Sequence, residues 1–458
     1  MNHEIWDPIE RFEFDQAVSG YGFITRLAFE NNWTAFFTLK AIEEYKKFMY
    51  LAAVENVMVS PSKIVDVVWH QHLIFTRSYN DFCSILGKRI EHIPSTHNPQ
   101  EKEKFDKAAI KTKELYERNF GEQPKEFWFD QSFEDSFTFK PSKVNVVLQV
   151  VIAIGIMVTG VFLFSRYLYD FYIGINTPEF LFDFLLLITI SFLGLTIYNR
   201  IKLKKIAKVL FTHPAIRNLN ASELIYIKTN RLRNVIHGYL NNLVVSRDLR
   251  IVSGNSFEAE EEYEQHEQTE FNVIMDVCNE RTSWRYEYLL TNLEQKPIFL
   301  KVKNAVDIIK STVSNSVSFK RQFFVNLLVL SIVSTVGLTR AFIGFTREKP
   351  IFFIVLINIV LIVISAIYLQ YLYNNVLKEV SGHYEKEIIP KDRTHFDGWE
   401  WNYFLIGSSL LSVSFSYLLE SQGGQSTFTS NHDNFSCGSS CGSSCGSSCG
   451  GGCGGCGN

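Results

Sequence analysis

Five residues near the start of the chain carry metal-ligating side chains at a suggestive spacing: Asp66, His70, His72, Cys83 and His92. Asp66 and His70 are four apart, so a helix puts them on one face, where the carboxylate can fix the imidazole's tautomer and raise its basicity. His72 lies about 200° round the same helix, so His70 and His72 cannot share one ion unless the helix breaks. Cys83 and His92 are further candidate ligands, although their spacing matches no standard zinc pattern. Two readings stand at this point. In one, His92 or Cys83 folds back beside His70 and a metal binds. In the other, Asp66 and His70 form a local pair while Trp69, His72 and Phe75 pack inside. The second is favoured, because spacing fixes no third ligand.

A second set of thiols closes the chain, at Cys437, Cys441, Cys445, Cys449, Cys453 and Cys456, among Gly and Ser. Gly and Ser cannot bury a core, so a disordered tail is expected over 420–458. Closely spaced thiolates suit soft ions such as zinc or copper, but only Cys453 and Cys456 have the CxxC spacing of a structural zinc knuckle. Thiol exchange, covalent modification and an inert low-complexity tail are the other readings.

The elements that must position these groups are mostly helical. Apolar Phe37, Ala41, Tyr45, Phe48, Leu51 and Ala52 recur at close to 3.6 residues, giving a helix over 33–56. Ser60-Pro61-Ser62 starts the next helix, with Ser60 as cap and Pro61 in the first turn. That helix runs to a stop at Gly87. Together these make a soluble helical domain over 1–140.

The string Asp66-x-x-Trp69-His70-x-His72-Leu73, followed by Tyr79, Cys83, Gly87 and His92, resembles the glycine-rich domain-containing protein family, known best from plants. The similarity covers roughly residues 20–125. It implies a helical module and carries no agreed catalytic activity.

At 458 residues the chain has room for two or three domains, and its net charge of −3 advertises no polyelectrolyte partner. Its 46% hydrophobic content is unevenly spread, and long uncharged runs exclude a wholly soluble protein. Crossing about 30 Å of hydrocarbon takes roughly 20 apolar residues. Residues 144–165, 180–198, 323–345 and 351–373 meet that test as two hairpins, with Asp183 and Arg340 near span ends. Residues 401–419 are uncharged but hold six Ser and Gly, and are expected to form a fifth span led by Trp399, Trp401 and Tyr403. Arg200, Lys202, Lys204, Lys205 and Lys208 after the second run, with Lys320 and Arg321 before the third, place the N-terminus and the 199–322 and 374–400 segments in the cytoplasm. A fifth span then puts the tail outside the cell membrane. Residues 1–10 are acidic and lack the apolar core of a signal peptide.

Within 199–322, Asn220 and Glu223 have capping-box spacing. Leu232, Val235, Ile236, Tyr239, Leu240 and Leu243 mark an amphipathic helix, and 249–252 reads as a strand. Helix, helix, strand and turn suggest a winged-helix-like insert, and further helices are expected over 272–278, 284–292 and 300–313. Seven glutamates in 258–270 argue against nucleic acid and for a protein partner. The stretch 214–256 in sequence, and roughly 140–458 in architecture, is similar to uncharacterised bacterial membrane proteins that often end in a Gly/Cys-rich tail, with Lys228-Thr229-Asn230 replacing their usual Gly-Gly.

No P-loop, GxSxG, HExxH or dinucleotide fingerprint occurs, so an enzyme is not favoured. Few ionisable groups lie deep in the spans, which disfavours a transporter. The fold expected is mainly α: a helical N-terminal domain, a polytopic membrane region with its winged-helix-like insert, and the tail. The functions that fit are a membrane-anchored binding or scaffold protein first, and a metal- or thiol-handling membrane protein second.

Overall fold

The computed structural model describes residues 1–421 except 16–18, 56, 93–98, 130, 253–254 and 261–264. The six tail cysteines lie outside the described residues. Side-chain caps open two of the first three helices. Asn2 accepts from the Glu4 amide at 3.0 Å to open α1 (His3–Glu10), and Thr34 accepts from Phe37 to open α3 (Ala35–Val54) after α2 (Phe23–Asn31). The predicted apolar face of α3 is buried throughout.

The expected single helix over 62–86 is two. Ser62, not Ser60, caps α4 (Lys63–Ile74), accepting from Val65 at 3.2 Å and donating to the Phe127 carbonyl at 2.6 Å. The ladder breaks at Phe75, whose ψ of 64° is non-helical, and resumes in α5 (Thr76–Leu86). Gly87 does end that helix, at φ +69°, a conformation with no steric cost for glycine. α6 (Pro99–Phe120) and α7 (Lys125–Trp128) close the unit around buried Glu44, which accepts from Tyr116 at 2.7 Å and Trp128 at 2.6 Å.

Four helices are long and apolar enough to cross a membrane: α8 (Val146–Tyr167), α10 (Thr177–Leu210), α17 (Val317–Thr346) and α18 (Phe352–Asn374). The short α9 (Tyr169–Gly174) joins the first two. α17 packs on the other three, and the outward faces carry apolar side chains such as Val158, Phe162 and Phe182. A buried amide network crosses the bundle: Asn199 donates to Asn326 at 2.7 Å and to Tyr368 at 2.8 Å, and accepts from Gln322 at 2.8 Å. Pairing these amides with one another lowers the cost of burying them in apolar surroundings. Arg340, near the far end of α17, is held by the loop that joins the first two apolar helices. Its guanidinium donates to the Tyr172 carbonyl and, at 2.9 Å, to that of Ile175, lying over the Phe180 ring.

Between the two hairpins come α11 (Pro214–Arg217), α12 (Ala221–Thr229) and α13 (Leu232–Ser246). A hairpin of β1 (Leu249–Val252) and β2 (Ser256–Ala259) follows, antiparallel with Leu249 opposite Ala259. Then come α14 (Thr269–Asn279), the short strand β3 (Trp284–Arg285) pairing on β2, α15 (Tyr286–Glu294) and α16 (Pro297–Ser314). The predicted capping box is formed, and all six predicted apolar positions of α13 are buried.

The N-terminal unit is not separate from this segment. α2 packs against α16, and one continuous apolar core runs through both. Glu223 joins them, accepting from Ala35 at 2.9 Å and from Asn220 at 3.0 Å, so one carboxylate serves two helix N-termini. Burial pushes its carboxyl up to about 7, against the two amides and Lys301, which pull it down.

The expected fifth span is a correction. Residues 401–419 do not form one helix: α19 (Lys378–His383) and two short turns lead to α20 (Trp399–Ile406), Gly407 breaks the chain at φ +72°, and α21 (Val413–Ser421) follows. Tyr403, Phe404, Phe415, Leu418 and Leu419 are buried in the same core as the N-terminal unit. Ser412 donates to Asn241 at 2.7 Å and Lys228 to the Phe404 carbonyl at 2.9 Å. The reason lies in composition. Interspersed Ser and Gly leave one apolar side, which a protein core satisfies and a lipid environment does not.

Candidate metal centre

α4 sorts the motif residues by face. Trp69 and His72 point inward; Asp66 and His70 point out, one turn apart. What spacing could not show is the return of the chain after Gly87. Trp69 Nε1 donates to the Tyr79 hydroxyl at 3.2 Å, and that hydroxyl donates to the Ile90 carbonyl. This relay pins residues 88–92 against α4 and lays His92 edge-on to Trp69, with ring centroids 4.7 Å apart.

His92 Nε2 therefore sits 2.9 Å from Asp66 Oδ1, while His70 Nε2 is 3.5 Å from Asp66 Oδ2. The two imidazoles are 4.4 Å apart between centroids. One ligating atom from each of the three residues falls within 4.8 Å of the others. Ligands bound tetrahedrally at zinc distances are about 3.4 Å from one another, so the three need to move by roughly an ångström or less to enclose an ion. His92 is 16% exposed, Asp66 38% and His70 59%, so the face of the cluster opens to solvent.

The other two predicted ligands are elsewhere. His72 is fully buried among Phe12, Phe14, Phe23, Tyr45, Tyr79 and Phe82. Its Nδ1 is 2.9 Å from the Tyr45 hydroxyl and its Nε2 3.1 Å from Ser78 Oγ, so both nitrogens are used. Burial pushes its imidazole down to about 4. Cys83 is buried on the inner face of α5 and is not among the three clustered residues. Cys278 is buried in the central segment, and burial pushes its thiol up to about 12, which suppresses thiolate chemistry.

The motif thus divides into a core histidine, His72, and a surface pair that gains a third member. The Trp69–Tyr79–Ile90 relay was missed by sequence reasoning. Its signal was Tyr79, ten residues after Trp69, where a hydroxyl beside an indole N–H needs a further acceptor.

The family model UCP032817-like matches residues 31–115, which contain the whole cluster. Glycine-rich domain-containing protein 2 of Arabidopsis thaliana is 27% identical over 111 residues, covering 23% of this chain and 14% of that protein. Glycine-rich domain-containing protein 1 of the same plant is 30% identical over 91 residues, covering 19% of this chain and 11% of that protein. The resemblance of the N-terminal part is thus supported, and the chain covers only a small part of those relatives' length. No solved structure matches.

Proposed function

We propose that this chain is a membrane-anchored metal-binding protein that holds a divalent transition ion of the zinc class between Asp66, His70 and His92. The observation that carries the reading is the convergence of two imidazoles and a carboxylate from residues 66, 70 and 92. Imidazole and carboxylate donors suit zinc, and three protein ligands leave a position open. Four apolar helices form the anchor. An even number of spans keeps both flanking segments and the central insert on one face. Lys and Arg at the insert-side ends of α10 and α17 favour the cytoplasm for that face. With four spans, the tail begins on the same face, not outside.

The helix–helix–hairpin order of α12, α13 and β1–β2 supports the winged-helix-like description of the insert. A binding or scaffold role for it is favoured by an open groove lined by Arg281, Trp284, Tyr288, Asn292 and Lys296, in which Tyr288 is 66% exposed.

Thermal melts of the purified full chain with zinc or with a chelator test the metal reading. Zinc is expected to raise the midpoint of the wild type and to leave His70→Ala unmoved. Equal zinc shifts in both proteins, or none in the wild type, would overturn it.

A further inference from the structure

The two rims of the apolar helix bundle differ in charge, and the difference is concentrated on one helix. We infer that the outward arc of α10, just beyond its apolar run, is a docking surface for anionic phospholipid headgroups. This rests on the membrane-anchor reading above and goes beyond it, from a bilayer to the lipid selected from that bilayer.

Length sets the level. At 1.5 Å per residue the helix of 34 residues runs about 51 Å, against about 30 Å of hydrocarbon. Its apolar run ends at Tyr198, so residues 199–208 stand in the headgroup layer and the water beside it. Five cations lie there, Arg200, Lys202, Lys204, Lys205 and Lys208, and no acidic residue occurs between Asp183 and Glu223.

Helical geometry gathers these cations on one arc. Taken in the order Arg200, Lys204, Lys208, Lys205 and Lys202, they fall at about 0°, 40°, 80°, 140° and 200° round the axis. The buried residues Ile206, Asn199, Leu210 and Ala207 occupy the remaining arc, between about 240° and 340°. The cations therefore cover the side that the protein leaves open. Four of them are exposed, and Lys202 is half-buried with its Nζ 5.6 Å from the centre of the Tyr198 ring. α19 packs on α10 and leads into Glu385 and Glu387, but those carboxylates pair with Lys228 and His383. Among the described residues none of the five α10 cations is in an ion pair. Phosphate oxygens of a lipid headgroup can be shared among several of them, while their methylene stems lie along exposed apolar surface such as Ile201.

The surroundings fit a lipid boundary. Exposed Tyr371 and Tyr373 end α18 on the same side, and Lys378 donates to the Tyr371 hydroxyl at 3.2 Å. Amphipathic rings of this kind are favoured where hydrocarbon meets headgroups. At the opposite rim Arg166, Arg347 and Lys349 are matched by Asp170, Glu179 and Glu348. That rim offers no comparable uninterrupted basic arc.

Lipid retention by the full chain is the test. The protein is purified in uncharged detergent with equal phosphatidylglycerol and phosphatidylcholine, washed, and its retained phospholipid quantified by mass spectrometry. Each basic side chain near an anionic surface is worth about a factor of five, so the wild type is expected to retain phosphatidylglycerol over phosphatidylcholine by about tenfold or more. Raising the salt from about 0.1 to 1 M shortens the screening length from about 10 to 3 Å and is expected to lower that ratio by about threefold or more. In the combined variant Arg200→Gln,Lys202→Gln,Lys204→Gln,Lys205→Gln,Lys208→Gln the ratio is expected to fall to about two or less. In Arg166→Gln,Arg347→Gln,Lys349→Gln it is expected to stay within about twofold of the wild type. An unchanged ratio in the five-site variant, or an equal fall in the opposite-rim variant, overturns the inference. The salt series decides without any variant, because a wild-type ratio that salt leaves unmoved overturns it as well. Displacement of the lipid by soluble glycerol phosphate at matched ionic strength means a site for free phosphate anions and also overturns it. Equal retention of both lipids leaves the anchor standing and removes only the inference. A chain that retains neither lipid and stays in solution without detergent has no anchor, and both readings fall.

Discussion

His70 and His72 are two residues apart in one motif, and the structure predicts opposite consequences for losing them. His72 has no exposed surface and fills a cage of six aromatic rings, with both nitrogens in hydrogen-bonding contact. His72→Ala removes the ring, opens a cavity and strands the buried Tyr45 hydroxyl. The stranded hydroxyl alone costs about 1–3 kcal/mol, and the cavity adds about 2 kcal/mol, so roughly 3–5 kcal/mol is expected. His70 is 59% exposed and leans on Asp66 at 3.5 Å. His70→Ala in metal-free protein should cost no more than about 0.5 kcal/mol, as surface substitutions do. At roughly 2–4 °C per kcal/mol for a unit of 150–250 residues, His72→Ala lowers the midpoint by about 6 °C or more and His70→Ala by about 2 °C or less. Thermal unfolding of chelator-stripped full chain, followed by tryptophan fluorescence, reads this out, because Trp6, Trp33 and Trp69 all belong to the unit concerned. Equal losses in the two variants, or a larger loss for His70→Ala, would refute the division of the motif into core and surface histidines.

Other consequences follow from buried polar groups and close contacts. Glu223→Ala strands the amides of Ala35 and Asn220 and should cost about 2–6 kcal/mol, Glu223→Gln about 1–3 kcal/mol, with faster hydrogen exchange around residue 35; unchanged exchange there would count against its bridging role. Burial lowers His72 and His213 to about 4 and His237 to about 3, so the unfolded chain takes up protons first. Their stability is intact above about pH 6.5 and falls between pH 6.5 and 4, by up to about 3 kcal/mol each, partly offset by Glu223, which takes a proton in the folded state from about pH 7 downward. Chemical denaturation at pH 7.5 and pH 5 measures the net loss, and greater stability at pH 5 would contradict it. A Cβ added at Gly238 would lie 2.8 Å from Tyr403 Cδ1, so Gly238→Ala should loosen α20 and raise proteolytic cleavage of 399–421; unaltered cleavage would speak against the docking of that segment.

Much of this fold was legible because local rules and tertiary burial agree. In α13 the six apolar residues at helical spacing are all buried, and the Asn220–Glu223 box is formed. The four long apolar helices were legible for the same reason, since length and composition are written directly in the sequence. The break at Phe75 carries no Gly or Pro to announce it. The return of His92 depends on the Trp69–Tyr79–Ile90 relay, a tertiary contact that no periodicity encodes. For that reason Asp66 and His70 read from spacing as an isolated pair, whereas the structure brings a third such side chain, His92, beside them. Residues 401–419 misled in the opposite direction: their length suits a bilayer, but Gly407 and the serines divide them into pieces that a soluble core accepts.

The central claim is that one ion is held by Asp66, His70 and His92, and calorimetric titration of zinc into the full chain with Ser at all six tail cysteines tests it most directly. One equivalent is expected to bind, with affinity falling at least tenfold in His92→Ala and again in His70→Ala. The absence of any one-equivalent binding, or an isotherm unchanged by His92→Ala, would contradict the account.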